Sequence, residues 1–468
     1  STLFPYTTLF RSRTGRIERV WYTNQLSFFE SENWIGNRNG PEQKLDLPPD
    51  AWVGFHGDWF VVKTRSPWTV GGVTYASDTL LGGALPALLA GTPAVEVLFE
   101  PEGRVALQHF FWCGRRLVLS VLDNLKPRYD LLLPSAAGWK RTQLAGLPDA
   151  GVVSAWCLDI EEEESNGDML VDAQDPLMPS TLSLAAPEAA PVVLKSAPAV
   201  FDASGLTVTR HEAVSIDGER IPYVQVGPGG GTGEAPILMD GYGGFGIAEQ
   251  PGYNSAVGKL WLERGGTYVL AHLRGGGEFG TRWHDAGRRE GKRLTHDDFA
   301  AIAADLAQRG VSRPGRIAAM GGSNGGILIT NMLTRYPDRF GALFCTIPLI
   351  DMRRYTHLLA GHSWIDEYGD PDKPEDWAFL KTYSAYHAAE PGRSYPPILI
   401  ATSRRDDRVH PGHARKMTAK LQALGYEAYL YEPAAGGHSA GKDNKERAAF
   451  LALGLGFLAT VIGWSAVG

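Results

Sequence analysis

A single serine stands among glycines where the sequence changes from a strand-like to a helix-like pattern. Residues 316–320, RIAAM, are typical of a buried strand, and residues 325–333 are typical of the start of a helix. The turn between them contains GGSNG and fits the pattern G-x-S-x-G, in which small neighbours leave room for a strained serine. Such an elbow lifts the hydroxyl above the sheet edge, and the helix N-terminus beyond it favours an oxyanion. Ser323 is therefore a candidate nucleophile, although this motif alone could equally be a glycine-rich connection.

Two further candidates follow Ser323, each just past an apolar, strand-like run. One is the pair Asp406 and Asp407, and the other is His438 in a glycine-rich loop. The order Ser, Asp, His is that of an α/β-hydrolase triad. An aspartate at a strand end can instead form a turn, and a loop histidine can simply be solvated. Three such placements in this order favour a triad with Ser323 as nucleophile, His438 as general base and one of the two aspartates to hold the imidazole tautomer.

The elements that must position these side chains lie in the second part of the chain, residues 206–468. Strand-like runs alternate there with helix-like runs, which predicts a mostly parallel, doubly wound sheet covered by helices on both faces. One helix is predicted from Thr295 to Gly310, with Thr295 and Asp298 as a capping box. We expect this part to be an α/β-hydrolase catalytic domain.

The first part, residues 13–205, has the pattern of β structure. Aromatic and β-branched runs recur at about 45–50 residues, which fits propeller blades of ~40–50 residues each and predicts a partial β-propeller of about three to four blades. The acidic run 161–164 is predicted to be a solvated hairpin loop. Residues 1–12 resemble a translated sequencing adapter, so we set them aside as an artefact.

Composition excludes several classes of function. The chain has 468 residues, a net charge of −7 and a pI near 6.0, which gives no electrostatic basis for binding nucleic acid or an anionic membrane. The apolar run 448–464 is interrupted by glycines, and we interpret it as a buried helix and not a membrane anchor.

No metal or cofactor is expected. The sequence contains no HExxH motif, and His357 and His362 lack partners at metal-binding spacing. The three cysteines are far apart, so neither a disulfide framework nor a zinc site is predicted. We expect a cytoplasmic location, with the periplasm and secretion as alternatives, and the oligomeric state is not predicted.

From residue 210 to residue 461 the sequence resembles the prolyl oligopeptidase family of serine peptidases. The segments GGSNGG, DDRVHP and GGHSAGKDN look like the family's nucleophile, acid and base segments. The family uses the first aspartate of DDR, so the resemblance implies Asp406 as the acid. The segment GYGGFG resembles the family's oxyanion segment, which implies that the hydroxyl of Tyr242 and the backbone N–H of Asn324 stabilise the oxyanion.

The resemblance also implies a specificity pocket. In GHSWIDEYG, Trp364 matches the tryptophan that stacks on a substrate proline ring, and Arg408 matches an arginine that holds a substrate carbonyl. The same apolar pocket is implied for Tyr368, Phe245, Val409 and Leu349. A proline ring fits a small apolar slot with a flat aromatic face. Without the resemblance, Trp364 and Tyr368 would be interpreted as ordinary core residues.

The resemblance implies a serine peptidase that cleaves short peptides through an acyl-enzyme. We expect the cleavage to occur after proline. The alternatives are an esterase or an oligopeptidase of other specificity with the same triad, or an inactive truncated fragment. The family's propeller has seven blades and covers the catalytic face. Because residues 13–205 have room for about three to four, we expect the chain to be truncated at its N-terminus and less stable than an intact relative.

Overall fold

The computed structural model describes residues 7–14, 17–37, 40–159, 166–229, 233–439 and 441–464. The acidic run 161–164 lies outside the described residues. The chain divides into two compact units, of which the first comprises Ser1–Asp175, Pro179–Ala197 and Glu278–Thr281. The second comprises Pro176–Met178, Pro198–Gly277 and Arg282–Gly468.

The first unit consists of antiparallel four-stranded sheets that follow one another along the chain, and its described residues contain four of them. In chain order the sheets contain β1 (Thr7–Thr14), β2 (Ile17–Gln25), β3 (Ser31–Asn37) and β4 (Glu42–Lys44); β5 (Ala51–His56), β6 (Trp59–Thr64), β9 (Leu80–Ala84) and β10 (Val95–Phe99); β11 (Val105–Cys113), β12 (Arg116–Asp123), β13 (Lys126–Ser135) and β14 (Gly138–Gln143); and β15 (Val152–Cys157), β16 (Met169–Gln174), β17 (Thr181–Ala185) and β18 (Val192–Ser196). The second sheet also carries the hairpin β7 (Trp68–Val70) and β8 (Val73–Tyr75), and α1 (Leu85–Leu89). This succession of blades is propeller-like, as the sequence predicts.

Of the residues set aside as an artefact, 7–12 lie in β1, which pairs antiparallel with β2. One feature of this unit differs from the sequence interpretation. Cys113 and Cys157, 44 residues apart, form a disulfide, with their Cα atoms 5.1 Å apart. The spacing did not indicate this pair, because it depends on two strands of different blades ending side by side: Cys113 is the last residue of β11 and Cys157 the last of β15.

The second unit is built on an eight-stranded sheet, and the predicted α/β fold class is confirmed. The strands, in sheet order, are β19 (Leu206–Val214), β20 (Arg220–Pro228), β22 (Thr267–Ala271), β21 (Ile237–Gly241), β23 (Ile317–Gly322), β24 (Ala342–Thr346), β25 (Ile398–Ala401) and β26 (Ala428–Tyr431). The first three strands of this order pair antiparallel, and the pairs from β22 to β26 are parallel. The carboxyl ends of the parallel strands therefore meet at one edge, where such sheets place their sites.

The longer helices contact the strands of this sheet, and they are α4 (Lys292–Gln308), α5 (Asn324–Arg335), α9 (Gly412–Ala423) and α10 (Asn444–Val461). The shorter helices are α2 (Ser255–Val257), α3 (Thr281–Ala286), α6 (Ile365–Tyr368), α7 (Pro374–Leu380) and α8 (Ala385–Ala388). Apolar residues of β20, β21, β23 and β24 pack with those of α10 in one buried cluster. In the part of the chain that the structure describes, no helix is long and apolar enough to cross a membrane.

The predicted start of α4 is wrong. The helix begins at Lys292, so Thr295 lies inside it and is not its cap. The Thr295 hydroxyl instead donates to the carbonyl of Arg274, at 2.7 Å. The Asp298 carboxylate accepts from the Arg274 guanidinium and from the Ser215 hydroxyl. Two residues that fit a local capping pattern thus serve tertiary contacts, which a local pattern cannot reveal.

Candidate active site

Ser323 lies on a sharp turn between β23 and α5. Its backbone has φ +58° and ψ −114°, a conformation that is strained for a residue with a side chain. The turn leaves no room for larger neighbours, because a Cβ added at Gly322 would lie 2.5 Å from the Thr346 hydroxyl oxygen. One added at Gly326 would lie 2.4 Å from the Cβ of Pro348. Gly322 and Gly326 are therefore required by close packing of the elbow against Thr346, at the end of β24, and against Pro348, just after it.

His438 and Asp406 lie beside Ser323, although both are distant in sequence. The Nε2 atom of His438 is 3.1 Å from Ser323 Oγ, and its Nδ1 atom is 2.8 Å from Asp406 Oδ2. The Asp406 side chain is fully buried, and its Oδ1 accepts backbone N–H bonds from Arg408 and Val409. These bonds fix the carboxylate in the turn after β25.

The neighbouring Asp407 occupies a different environment. It is exposed. The imidazole of His438 hydrogen-bonds instead to both carboxylate oxygens of Asp406, at 3.0 and 2.8 Å. Of the two aspartates that the sequence offered, the structure therefore places Asp406 against the imidazole.

Tyr242 and Asn324 are joined directly. The side-chain amide of Asn324 donates to the carbonyl oxygen of Tyr242 at 2.6 Å, and Asn324 is the first residue of α5. Burial raises the pKa of Tyr242 to about 12, an effect that the charge of Glu367 reinforces and that of Arg408 opposes. A hydrogen bond with the Ser323 side chain acts in the opposite direction and lowers the pKa of Tyr242. The Tyr242 hydroxyl therefore lies next to the elbow. Tyr242 is thus a protonated donor throughout the neutral range.

The apolar residues predicted for the specificity pocket lie in one cluster. Leu349, Tyr368 and Val409 are buried within it, and Phe245 and Trp364 pack against it while partly buried. The rings of Phe245 and Tyr368 meet edge to face, with centroids 5.7 Å apart. Arg408, the charged member of the predicted set, is exposed, and its charge acts on Tyr242. The structure therefore brings five of the six predicted pocket residues into one cluster, and the sixth, Arg408, lies close enough to Tyr242 for its charge to act there.

A cavity of about 290 Å³ lies beside the elbow and His438. Its polar wall includes Asp240, the residue two before Tyr242, and its apolar wall includes side chains of α10. Burial, reinforced by the charge of Glu249, raises the pKa of Asp240 to about 7. The Tyr268 hydroxyl donates to Asp240 Oδ2 at 3.2 Å. Asp240 is a titratable group near the candidate active site that the sequence analysis did not single out.

Sequence reasoning also missed a buried charged group formed by Glu367, Lys292 and His284. We call these three residues the Glu367 cluster. Glu367 Oε1 accepts from Lys292 Nζ at 2.8 Å, and Glu367 Oε2 lies 2.6 Å from His284 Nε2. Glu367 lies inside the predicted pocket segment GHSWIDEYG, but nothing in the sequence indicates a partner 75 residues away.

Among the residues that the structure describes, no group of three or more His, Cys, Asp or Glu side chains is arranged to hold a metal ion. The histidine beside Ser323 instead has both ring nitrogens in hydrogen bonds to protein groups.

A mostly parallel sheet that carries a strained serine between a strand and a helix, in reach of an imidazole, defines an α/β-hydrolase. Residues 253–464 match the family model described as "Prolyl oligopeptidase family". Over these residues the chain is similar to the prolyl oligopeptidase family.

Individual relatives extend the similarity beyond that region. The chain is 37% identical over 438 residues to the uncharacterized peptidase y4nA of Sinorhizobium fredii. This alignment covers 92% of the chain and 60% of the relative. It is 39% identical over 212 residues to the prolyl endopeptidase of Elizabethkingia miricola, covering 45% of this chain and 30% of that one. A solved post-proline cleaving enzyme from Rickettsia typhi superposes with a TM-score of 0.88 at 29% identity, covering 95% of this chain and 65% of that structure. Two curated relatives match the chain over 92% of its residues, and the chain spans 60% of the length of each of them.

Proposed function

We propose that the chain is a serine peptidase that hydrolyses short peptides after proline residues through an acyl-enzyme. The observation that carries the proposal is the continuous hydrogen-bonded series Asp406–His438–Ser323, with distances of 2.8 and 3.1 Å. This is the arrangement in which an imidazole takes the proton of a serine hydroxyl while a buried carboxylate holds its tautomer. The preference for proline is supported by relatives named prolyl endopeptidases and by the post-proline cleaving enzyme of similar fold.

The proposed reaction begins when Ser323 Oγ attacks the scissile carbonyl carbon and its proton moves to His438 Nε2. The C=O π electrons pass to the carbonyl oxygen, and the resulting oxyanion accepts hydrogen bonds from the Tyr242 hydroxyl and the Asn324 backbone N–H. Collapse of the intermediate breaks the peptide C–N bond, and the leaving amine takes the proton from His438. Water, deprotonated by the same imidazole, then attacks the ester and releases Ser323.

The role of Trp364 in this proposal is to bind the proline ring. Partial burial leaves an aromatic surface free at the edge of a closed apolar cluster, whereas the buried Leu349, Tyr368 and Val409 supply the lining. A five-membered ring without a charge needs shape and apolar contact and no ionic partner. Arg408, exposed next to this cluster, would donate to a carbonyl of the bound peptide.

An esterase or an oligopeptidase of another specificity is the second candidate, since the same Ser323, His438 and Asp406 would serve it. Trp364→Ala distinguishes the two. We expect this variant to lose roughly 100-fold or more in kcat/KM on a blocked Gly-Pro peptide with a fluorogenic leaving group, because a stacked aromatic anchor is removed. Hydrolysis of a small activated ester should change by less than about threefold. Trp377→Ala, which removes another partly buried tryptophan at the same cluster, is the matched control, and equal losses on both substrates would remove the pocket assignment.

The direct test of the proposal is a digest of a peptide library read by mass spectrometry, with Ser323→Ala as the control. We expect cleavage after proline that is absent from Ser323→Ala. A fluorophosphonate probe should label Ser323 in the wild-type chain and not in the variant. Folded protein that neither cleaves nor labels would instead support the inactive-fragment alternative.

Short peptides are the partners that this proposal implies. A cytoplasmic location stays a prediction, and the disulfide between Cys113 and Cys157 favours an oxidising compartment instead. Thiol labelling of the protein in fractionated cells measures both properties at once. Free thiols at both positions in the cytoplasmic fraction would support the original expectation.

A further inference from the structure

The Glu367 cluster is buried without leaving its charges unbalanced. The side chain of Glu367 is 0% exposed, and those of Lys292 and His284 are each 1% exposed. Burial alone would raise the pKa of Glu367, but the charge of Lys292 and the hydrogen bond from His284 lower it to about 2. A buried ion pair is rarely more stabilising than apolar residues of similar volume, because desolvation offsets the attraction. Stability alone therefore gives no reason for charges at this place.

The cluster holds the backbone of the segment that follows Tyr242. Lys292 Nζ donates to the carbonyl oxygen of Gly243 at 3.2 Å, while the backbone N–H of Phe245 donates to Glu367 Oε1 at 3.1 Å. The positively charged Lys292 thus binds the carbonyl of Gly243, and the negatively charged Glu367 binds the backbone amide of Phe245, two residues further along the same turn. Each bond involves a charged group and is stronger than a neutral hydrogen bond.

This segment needs such restraint because its backbone is strained. Phe245 has φ +58°, in the left-handed region that costs a residue with a side chain of order 1–2 kcal/mol. Gly243 has φ +60°, and a Cβ at that position would lie 2.3 Å from Thr295 Cγ2. A strained turn keeps one geometry only when the surroundings determine it. The Glu367 cluster provides two of those contacts.

Tyr242 is consequently held through the backbone that follows its Cα atom. Its own carbonyl accepts from Asn324 at 2.6 Å, and the next carbonyl along the chain, that of Gly243, accepts from Lys292. The neighbour of Glu367 in sequence, Tyr368, donates to Asn324 Oδ1 at 2.8 Å. The pocket and the elbow are therefore connected to Tyr242 through the hydrogen bonds of Asn324, and the Glu367 cluster holds the backbone of Gly243 and Phe245 just after it.

We propose that the Glu367 cluster is a positioning network for the Tyr242 hydroxyl, so that Glu367, Lys292 and His284 act on the chemical step through Tyr242 and do not contact the substrate. The inference rests on the proposed function, because it assigns Tyr242 to the oxyanion. It predicts a loss in turnover that is confined to the transition state, since a displaced donor weakens oxyanion binding more than substrate binding.

The test is a double-mutant cycle with the full chain. The nearly isosteric Glu367→Gln and the charge-deleting Lys292→Met are each made in the wild-type and the Tyr242→Phe backgrounds, and kcat and KM are measured on a blocked Gly-Pro fluorogenic peptide. In the wild-type background we expect kcat to fall roughly 10- to 100-fold, with KM changed by less than about threefold. In the Tyr242→Phe background the same substitutions should cost less than about threefold, because the group that they position is absent.

A peptide aldehyde supplies a second measurement, because its adduct with Ser323 carries an oxyanion-like oxygen. Its inhibition constant should weaken by the same factor as kcat/KM in each variant. Lys292→Arg keeps the charge and should recover part of the activity. If the variants at Glu367 and Lys292 fail to fold, His284→Leu removes one bond to Glu367 while leaving the ion pair, and the same non-additivity is expected from it.

The control is Asp297→Asn, which removes the negative charge of a partly buried ion pair of this domain, that with Arg335. It should lower the melting temperature without changing kcat by more than about twofold. Losses of the same size with and without the Tyr242 hydroxyl, or a loss that lies in KM, would overturn the positioning role while leaving the proposed peptidase intact. A folded wild-type chain that neither hydrolyses peptides nor labels at Ser323 would instead overturn the proposed function, and this inference with it.

Discussion

The hydroxyl of Tyr368 donates a hydrogen bond of 2.8 Å to the side-chain oxygen of Asn324, the residue that follows Ser323. The nitrogen of the same side-chain amide donates to the carbonyl of Tyr242 at 2.6 Å. These two bonds fix the side-chain amide of Asn324 in one orientation, with its oxygen toward the pocket and its nitrogen toward the oxyanion segment. A residue proposed for proline binding thereby also supports two residues proposed for oxyanion binding.

Tyr368→Phe tests this connection. The substitution keeps the ring in the pocket but leaves the buried Asn324 oxygen without its donor, which costs about 1–3 kcal/mol. We expect a lower melting temperature and a fall in kcat of roughly tenfold, since the backbone at the elbow loses one restraint. Tyr355→Phe is the matched control, because its buried hydroxyl donates instead to the carbonyl of Gly369. A similar fall in kcat in both variants would show that general loosening of the cluster is responsible.

Two adjacent aspartates provide a second test with its own control. Asp406→Asn should reduce kcat by roughly 10⁴-fold, because the amide favours the wrong imidazole tautomer. Asp407→Asn changes an exposed side chain one residue away, and we expect kcat within about threefold of the wild type. Steady-state kinetics on the fluorogenic peptide distinguish them. A large effect at Asp407 together with a small one at Asp406 would reverse the assignment of the triad acid.

Asp240 makes stability depend on pH. Its folded pKa is raised to about 7 from 3.8, so the folded state holds a proton that the unfolded state has lost between these values. Its contribution to the free energy of unfolding therefore decreases as pH rises from about 4 to about 7, by at most about 4 kcal/mol. Asp240→Asn keeps a neutral side chain at all pH values. We expect the variant's advantage in stability over the wild type to be small near pH 4 and largest near pH 8.

Chemical denaturation at both pH values measures this difference. Asp338→Asn, at a side chain that is 77% exposed, is the control and should show no such change between them. A variant that is less stable than the wild type at pH 8 would mean that the Asp240 carboxylate is stabilised by its neighbours and contributes favourably when ionised.

Much of the architecture follows from local pattern. Alternating strand-like and helix-like runs predict the sheet of the second unit, and the recurrence of aromatic runs predicts propeller-like blades, because both patterns repeat at a characteristic length. The neighbourhood of Ser323, Asp406 and His438 was predicted in the same way. Each follows its own strand, and the carboxyl ends of parallel strands meet at one edge.

The contacts that local pattern could not predict all join distant segments. Lys292 and Glu367 are 75 residues apart, and neither has a neighbour in sequence that indicates an ion pair. Thr295 and Asp298 fit a capping box but bond to Arg274 and Ser215, because tertiary partners outweigh a local cap. The role of a polar residue in a folded core depends on which segments the topology brings to it, and short-range spacing carries no such information.

Two glycines in helices give a final test, in which helix propensity and packing predict opposite results. Gly326 lies in α5 directly after the elbow, and Gly456 lies in α10. Replacing a helical glycine by alanine ordinarily stabilises by about 1 kcal/mol. At Gly456 an added Cβ meets no atom within 4 Å, so we expect Gly456→Ala to raise the melting temperature.

At Gly326 the added Cβ would lie 2.4 Å from the Cβ of Pro348 and 2.6 Å from its Cα, which is backbone and cannot turn aside. We expect Gly326→Ala to lower the free energy of unfolding by about 1–3 kcal/mol and to displace the elbow, so that fluorophosphonate labelling of Ser323 slows as well. Calorimetry and labelling kinetics on the two variants check both effects. Stabilisation by Gly326→Ala with unchanged labelling would mean that the turn tolerates a larger neighbour, and close packing would then not explain the glycines around Ser323.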